Sequence, residues 1–221
     1  MENYRRRMHV SQKIGIIGAG NVGGVLGTRW AKSGHTVVFG SRKPESEEIK
    51  ILVSGAGATA SNGTIAQAVS ASDVLLLSTP WPAAEEALKS AGDLSGKILI
   101  DATNPVRPQL DGLLLGNMTS GGEQVAAWAP EAKVVKAFNT VGNNVMANPE
   151  FSAGKVAMFY CGDDAEAKRT VASLIGELGF DPLDAGPLTQ ARLLEPFALL
   201  WISLALKYGY SREIAFEFLR R

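Results

Sequence analysis

Short, mostly apolar runs alternate with longer segments of helical period along nearly the whole chain. The runs at 14–17, 36–39, 74–77, 97–100, 133–138 and 156–160 are four to six residues long. That is the length and composition of strands buried on both faces of a parallel sheet. Weaker strands are expected at 58–60 and 181–184. Between them, helices are expected at 21–33, at 44–54 with an acidic first turn, and at 64–71, 83–91 and 121–129. One more starts at the polar cap Gly162-Asp163-Asp164 and ends at Leu178. Beyond Pro187 the pattern predicts two further helices, 188–206 and 211–219. Strand–helix alternation of this kind predicts an α/β fold, a Rossmann-type doubly wound parallel sheet with a short C-terminal helical appendage. The expected organisation is a dinucleotide-binding domain over 13–186, C-terminal helices over 187–221 that serve a substrate pocket or dimer contact, and a disordered arm over 1–12.

The first unit carries the strongest chemical signal. The run ending at Ile17 is followed by Gly18, Gly20 and Gly23 at GxGxxG spacing, then by the helix that starts with Asn21 and Val22 and stops near Gly34. Strand, glycine turn, helix and strand within about 30 residues are the setting this fingerprint needs. Gly18 permits the tight turn, Gly20 lets the backbone approach a pyrophosphate, and Gly23 lets the helix pack closely on the strand. The first-turn N–H groups and the helix dipole then favour phosphate.

The end of the second strand selects the dinucleotide. NAD-binding units place Asp or Glu there to hold the ribose hydroxyls. This chain has Gly40, Ser41, Arg42 and Lys43, and no acid before Glu45. A hydroxyl beside two cations suits a phosphate monoester, so NADP(H) is the expected cofactor.

Composition narrows the rest. Lys+Arg and Asp+Glu both number 22, for a net charge of zero, which points to neither nucleic acid nor a membrane surface. A single cysteine, Cys161, excludes an internal disulfide framework and a cysteine-rich metal site, so no metal is expected. The basic start MENYRRRMHVSQ lacks an apolar stretch behind it, and the apolar segment 197–206 is too short to cross a bilayer. The expectation is a cytoplasmic protein without a membrane partner. The helix 188–206 is apolar on more sides than a surface helix needs, which predicts a homodimer through the C-terminal helices.

Three strand ends should converge on one crevice: Ser78-Thr79-Pro80-Trp81, Asn104-Pro105 and Asn139-Thr140. They are expected to contact the cofactor, with Asn104 and Asn139 as candidate substrate-orienting groups and no certain catalytic residue. The histidines, His9 and His35, fall away from that crevice, so no acid–base group is positioned there. The favoured reaction is therefore hydride exchange between NADPH and a ring system that delocalises its own charge. Two alternatives stand beside it: reduction of a small carbonyl or imine, with Asn104 or Asn139 as donor, and a non-catalytic NADP-sensing or interaction module.

The stretches GAGNVGGVLGTRWAKSGHTVVFGSRK, VVKAFNTVGNNVMANP, CGDD and PLDAGPLTQARLLEP resemble the NADP oxidoreductase, coenzyme F420-dependent family over about 13–219. VVKAFNT is also similar to the oxidoreductase domain of the six-transmembrane metalloreductases. The resemblance implies an NADPH-binding reductase whose hydride acceptor, a small molecule, is a flavin or deazaflavin co-substrate. Where the archaeal deazaflavin enzymes carry a His-Thr pair, this chain has Asn139-Thr140, so weak use of coenzyme F420 itself is expected. An apolar acceptor site walled by Trp81, Asn104, Asn139, Leu194 and Phe197 is expected, with Arg107 or Arg192 available for a flavin phosphate.

Overall fold

The computed structural model describes residues 10–221. Its centre is an eight-stranded sheet. Six strands run parallel: β1 (Lys13–Ile17), β2 (Thr36–Gly40), β3 (Ala60–Gly63), β4 (Val74–Leu77), β5 (Ile98–Asp101) and β6 (Lys133–Lys136), in spatial order β6-β5-β4-β1-β2-β3. The order reverses between β1 and β4, which opens a crevice at their carboxyl ends. Helices α1 (Asn21–Lys32), α2 (Glu47–Ala56), α3 (Ile65–Ser70), α4 (Ala84–Lys89) and α5 (Gly121–Trp128) connect them. One core centres on Trp30, Phe39, Phe138 and Phe180. The other face packs Ile17, Leu75, Leu77 and Leu99 against α4, α5 and the C-terminal helix.

After β6 the chain departs from the expected all-parallel pattern. A short helix α6 (Asn143–Ala147) and a small hairpin, β7 (Glu150–Phe151) with β8 (Gly154–Lys155), carry it back along the sheet. It then forms β9 (Ala157–Gly162) antiparallel to β6, and after α7 (Ala165–Glu177) adds β10 (Asp181–Asp184) parallel to β9. The capping reading at 162–164 is met at Asp164, whose carboxylate accepts the N–H groups of Glu166 and Ala167. The strand expected at 58–60 lies slightly later, as β3.

The C-terminal helix α8 (Ala191–Leu206) forms as expected after a 3-10 turn. The second helix expected at 211–219 does not. The chain turns at Gly209 (φ 75°) and continues extended, with Phe216 O accepting the N–H of Ala157 at 2.8 Å. Its ring lies 4.6 Å from that of Phe197, and Phe218 meets Phe159 edge-on. The side chains that pack are two apart, the period of an extended strand rather than of a helix. Residues 1–9 of the expected arm, with His9, lie outside the described residues. Residues 11 and 12 are held: Ser11 Oγ donates to Gly34 O and the Gln12 N–H to His35 Nδ1. His35 is wholly buried and its Nε2 sits 2.6 Å from Glu177, a structural role.

Candidate active site

Gly18 takes a left-handed φ of 103°, and a Cβ there would lie 2.9 Å from Thr79 N, so only glycine makes this turn without strain. Gly20 is the N-cap of α1, makes no side-chain cap, and faces open space where its Cβ would be. Gly23 is the reverse: a Cβ would meet the Gly18 carbonyl, Ser78 Oγ at 2.5 Å and Ile16. The three glycines thus divide into turn, opening and close packing. Ser78 Oγ donates to Gly18 O at 2.9 Å and ties the ends of β1 and β4 together.

A cavity of about 510 Å³ opens over this turn. Gly18, Gly20, Ser41, Arg42, Ser78, Thr79 and Pro80 all line it, so seven of the residues singled out in the sequence share one wall. Ile49 and Ile65 add an apolar floor, and Glu86 of α4 and Ser90, which caps its end, add polar groups that no motif signalled. At the corner after β2, the Ser41 N–H donates to Gly63 O, and Ser41 Oγ accepts the N–H of Lys43. Asn62 closes the turn by donating to Pro44 O at 2.7 Å. Thr79 Oγ1 is buried and has no partner among the described residues.

The other expected site residues do not line that cavity. Asn21 lines a neighbouring groove with Gly20 and Asn143, while Val22 and Gly23 face the core. The Lys43 side chain is exposed. Trp81 leans away, pairing with Trp128 at 5.2 Å between ring centroids over Gly121 and Pro105.

Asn104 and Asn139 form a pair where β5 and β6 end. Asn104 Nδ2 donates to Asn139 O at 2.8 Å, while Asn139 Nδ2 donates to Asn104 Oδ1 at 3.1 Å and to Leu194 O at 3.2 Å. Both side-chain N–H bonds of Asn139 are committed, which leaves Oδ1 as a buried acceptor without a partner among the described residues; Thr140 Oγ1 is in the same state. The turn that places them is strained: Phe138 has φ 60° and is held there by edge-on contacts with Trp30 and Phe180.

Sequence reasoning missed the cluster behind this pair. Lys136, Asp101 and Glu195 are all fully buried, with Lys136 Nζ 2.9 Å from Asp101 Oδ2 and 2.7 Å from Glu195 Oε1. Burial alone would lower the pKa of Lys136; the two carboxylates more than offset it, and the net direction is upward.

Two expectations about the acceptor side are corrected. Arg192 is held by Glu123, with Nε 2.8 Å from Oε2, and is not free for a phosphate; Arg107 is exposed and folds over Gly112 in its own loop. Phe197 faces Phe159 and Phe216 rather than the strand ends. The Arg192 bond also holds the Glu123 carboxyl below its usual range, against the opposing effect of burial. Among the described residues no group of three or more His, Cys, Asp or Glu could hold a metal, and no helix is long and apolar enough to cross a membrane.

Known proteins place this geometry. Residues 13–105 match the model of the family described as NADP oxidoreductase coenzyme F420-dependent. The chain is 30% identical over 210 residues to the F420-dependent NADP reductase of Methanocaldococcus jannaschii, covering 89% of this chain and 93% of that protein. It is 35% identical over 188 residues to the metalloreductase STEAP3 of Rattus norvegicus, which is 85% of this chain but 36% of that protein. The chain therefore spans about a third of the length of that relative. A solved structure from Arthrobacter sp. FB24, described as an F420-dependent NADP reductase, superposes with a TM-score of 0.86 at 32% identity, over 95% of this chain and all of that one. Fold and relatives together define an NADP-linked oxidoreductase. More narrowly, the chain belongs to the NADP oxidoreductase, coenzyme F420-dependent family.

Proposed function

We propose that the protein binds NADP(H) in the crevice between β1 and β4 and exchanges hydride with a flat flavin-, deazaflavin- or quinone-like acceptor. The observation that carries the cofactor reading is the shared wall of the 510 Å³ cavity, where the open Gly20 turn and the acid-free Ser41–Arg42 corner meet. The site fits the group: the uncapped start of α1 offers N–H donors to phosphate, and Ser41 and Arg42 suit a 2′-phosphate. Thr79 Oγ1, on that wall, and Asn139 Oδ1, beyond the end of β6, are buried polar atoms without a partner among the described residues. When bound, NADPH supplies the hydride. The residues then have to hold two rings together and exclude water, a task that would fall to Pro80, Leu194 and the Asn104–Asn139 pair.

The titratable groups that end β5 and β6, Asp101 and Lys136, are wholly buried and bonded to one another and, through Lys136, to Glu195, so neither reaches the crevice to transfer a proton, which favours an acceptor that delocalises its own charge. Reduction of a small carbonyl or imine is less well served. The Asn139 side-chain amide has no N–H left to donate, and the donors that remain, the second N–H of Asn104 and the hydroxyls of Thr79 and Thr140, can polarise an oxygen but are poor proton donors to it. A purely NADP-sensing role is set aside by membership of an enzyme family.

The test is NADPH oxidation with a panel of free flavin, a quinone, coenzyme F420 and a cyclic imine. Turnover with flavin or quinone and weak turnover with coenzyme F420 is expected, and Asn139→His should raise the latter. Strong wild-type activity with coenzyme F420, or activity with the imine alone, contradicts the reading. We further propose a homodimer through α8, where Leu193 (64% exposed) and Leu200 (49%) lie two turns apart on its outer side. Light scattering at micromolar concentration should give twice the chain mass, and Leu200→Glu should halve it; a wild-type monomer contradicts the proposal.

A further inference from the structure

Directly behind the Asn104–Asn139 pair, β5, β6, α5 and α8 meet at Asp101, Lys136 and Glu195, none of which is exposed. Besides its two carboxylates, Lys136 Nζ donates to Thr103 O at 2.7 Å. Every other contact to the carboxylates is from a donor. Asp101 Oδ1 accepts the Thr103 N–H and hydroxyl, at 2.9 and 2.6 Å, and Glu195 accepts the N–H groups of Gly121 and Gly122 at 2.8 and 2.9 Å. An ammonium within 2.9 Å of both, and backbone N–H groups turned on to both, are the contacts that favour charged carboxylates. One ammonium against two carboxylates leaves one net negative charge, sealed from water.

The surroundings do not cancel it. Cys161 stays a neutral thiol, because burial pushes it up to about 12, and Arg192 and Glu123 cancel one another. The start of α5 offsets about half a charge. An unbalanced buried charge is costly, and a hydrocarbon cluster of the same volume would hold these elements at least as well. The cluster also adjoins the site on two sides. Thr103, which binds Lys136, precedes Asn104, and Leu194, whose carbonyl holds Asn139, precedes Glu195.

We infer that the cluster is a fixed counter-charge that favours oxidised over reduced cofactor, and so favours hydride release. The inference rests on the NADP reading above. The two cofactor forms differ at the ring by one positive charge, present once the acceptor has taken the hydride with both of its electrons. A buried negative charge acts on that difference and on little else, since the two forms share their phosphates, riboses and adenine.

The experiment compares the dissociation constants of NADP+ and NADPH by calorimetry on the full chain. Glu195→Gln and Asp101→Asn, each removing the net charge, should weaken NADP+ relative to NADPH by about 3- to 10-fold, the scale of one charge acting through an effective dielectric of about 20. The double variant Lys136→Met with Glu195→Gln breaks more contacts but restores one net negative charge, and its ratio should return toward that of the wild type. A structural role would move both constants together. An unchanged ratio in the single variants, or a double variant shifted as far as they are, overturns the inference. Should the variants not fold, the wild type decides: NADP+ should bind no more weakly than NADPH, and NADPH bound ten-fold tighter or more overturns it. Failure of the wild type to bind either form would instead defeat the NADP reading.

Discussion

Around Gly18 to Gly23 the protein shapes its crevice by leaving atoms out, whereas at the ends of β5 and β6 it does so by burying charge. The first region is open and built from backbone: a left-handed turn, an uncapped helix start and a hydroxyl beside an exposed arginine. The second is dry and built from side chains, with the Asp101–Lys136–Glu195 cluster setting the spacing between two strands and two helices. The difference assigns tasks. A surface of N–H groups can grip phosphates that every dinucleotide carries, while in the proposed binding mode a fixed network would hold the reacting end, where small displacements matter most.

The largest effect should come from breaking the dry region. Lys136→Met leaves two carboxylates facing each other without their shared ammonium, and removing one partner of a buried ion cluster costs about 3–5 kcal/mol. Chemical denaturation should show a loss of that order; a loss below about 1 kcal/mol would mean that the cluster is dispensable to the fold.

A smaller effect separates two glycines of one motif. Gly23→Ala forces a Cβ against Ser78 Oγ and the Gly18 carbonyl and should cost about 1–3 kcal/mol, or roughly 2–12 °C in Tm. Gly20→Ala, whose Cβ meets nothing within 4 Å, should leave Tm nearly unchanged yet weaken nucleotide binding. Equal thermal losses in the two variants would contradict the division between packing and opening.

The two regions also differ in how far the sequence discloses them. Gly18, Gly20 and Gly23 act within one local turn, so their spacing alone carries the geometry, and Ser41 and Arg42 follow at a fixed distance along the same unit. Asp101, Lys136 and Glu195 come from two strands and a helix far apart in the chain. Lys136 sits in an apolar run and Glu195 beside a proline, so each reads as a strand end or a helix turn. Only the pairing of β5 with β6 and the docking of α8 bring them together. The tail fails for a different reason. Residues 211–219 have helix-forming composition, but Ile214, Phe216 and Phe218 alternate, and tertiary contacts with Trp201, Phe197 and Phe159 draw them into an extended strap. The five-residue α6 and the two-residue strands β7 and β8 are too short for any periodicity to reveal.

The claim on which the account turns is that the corner after β2 reads a 2′-phosphate. It is tested most directly by measuring the dissociation constants of NADPH and NADH for the wild type and for Arg42→Ala. The wild type should prefer NADPH. The variant should lose about 10- to 100-fold in NADPH affinity, the worth of one or two charge-assisted bonds, with NADH changed little. Equal losses for both nucleotides, or a wild type that prefers NADH, would contradict it.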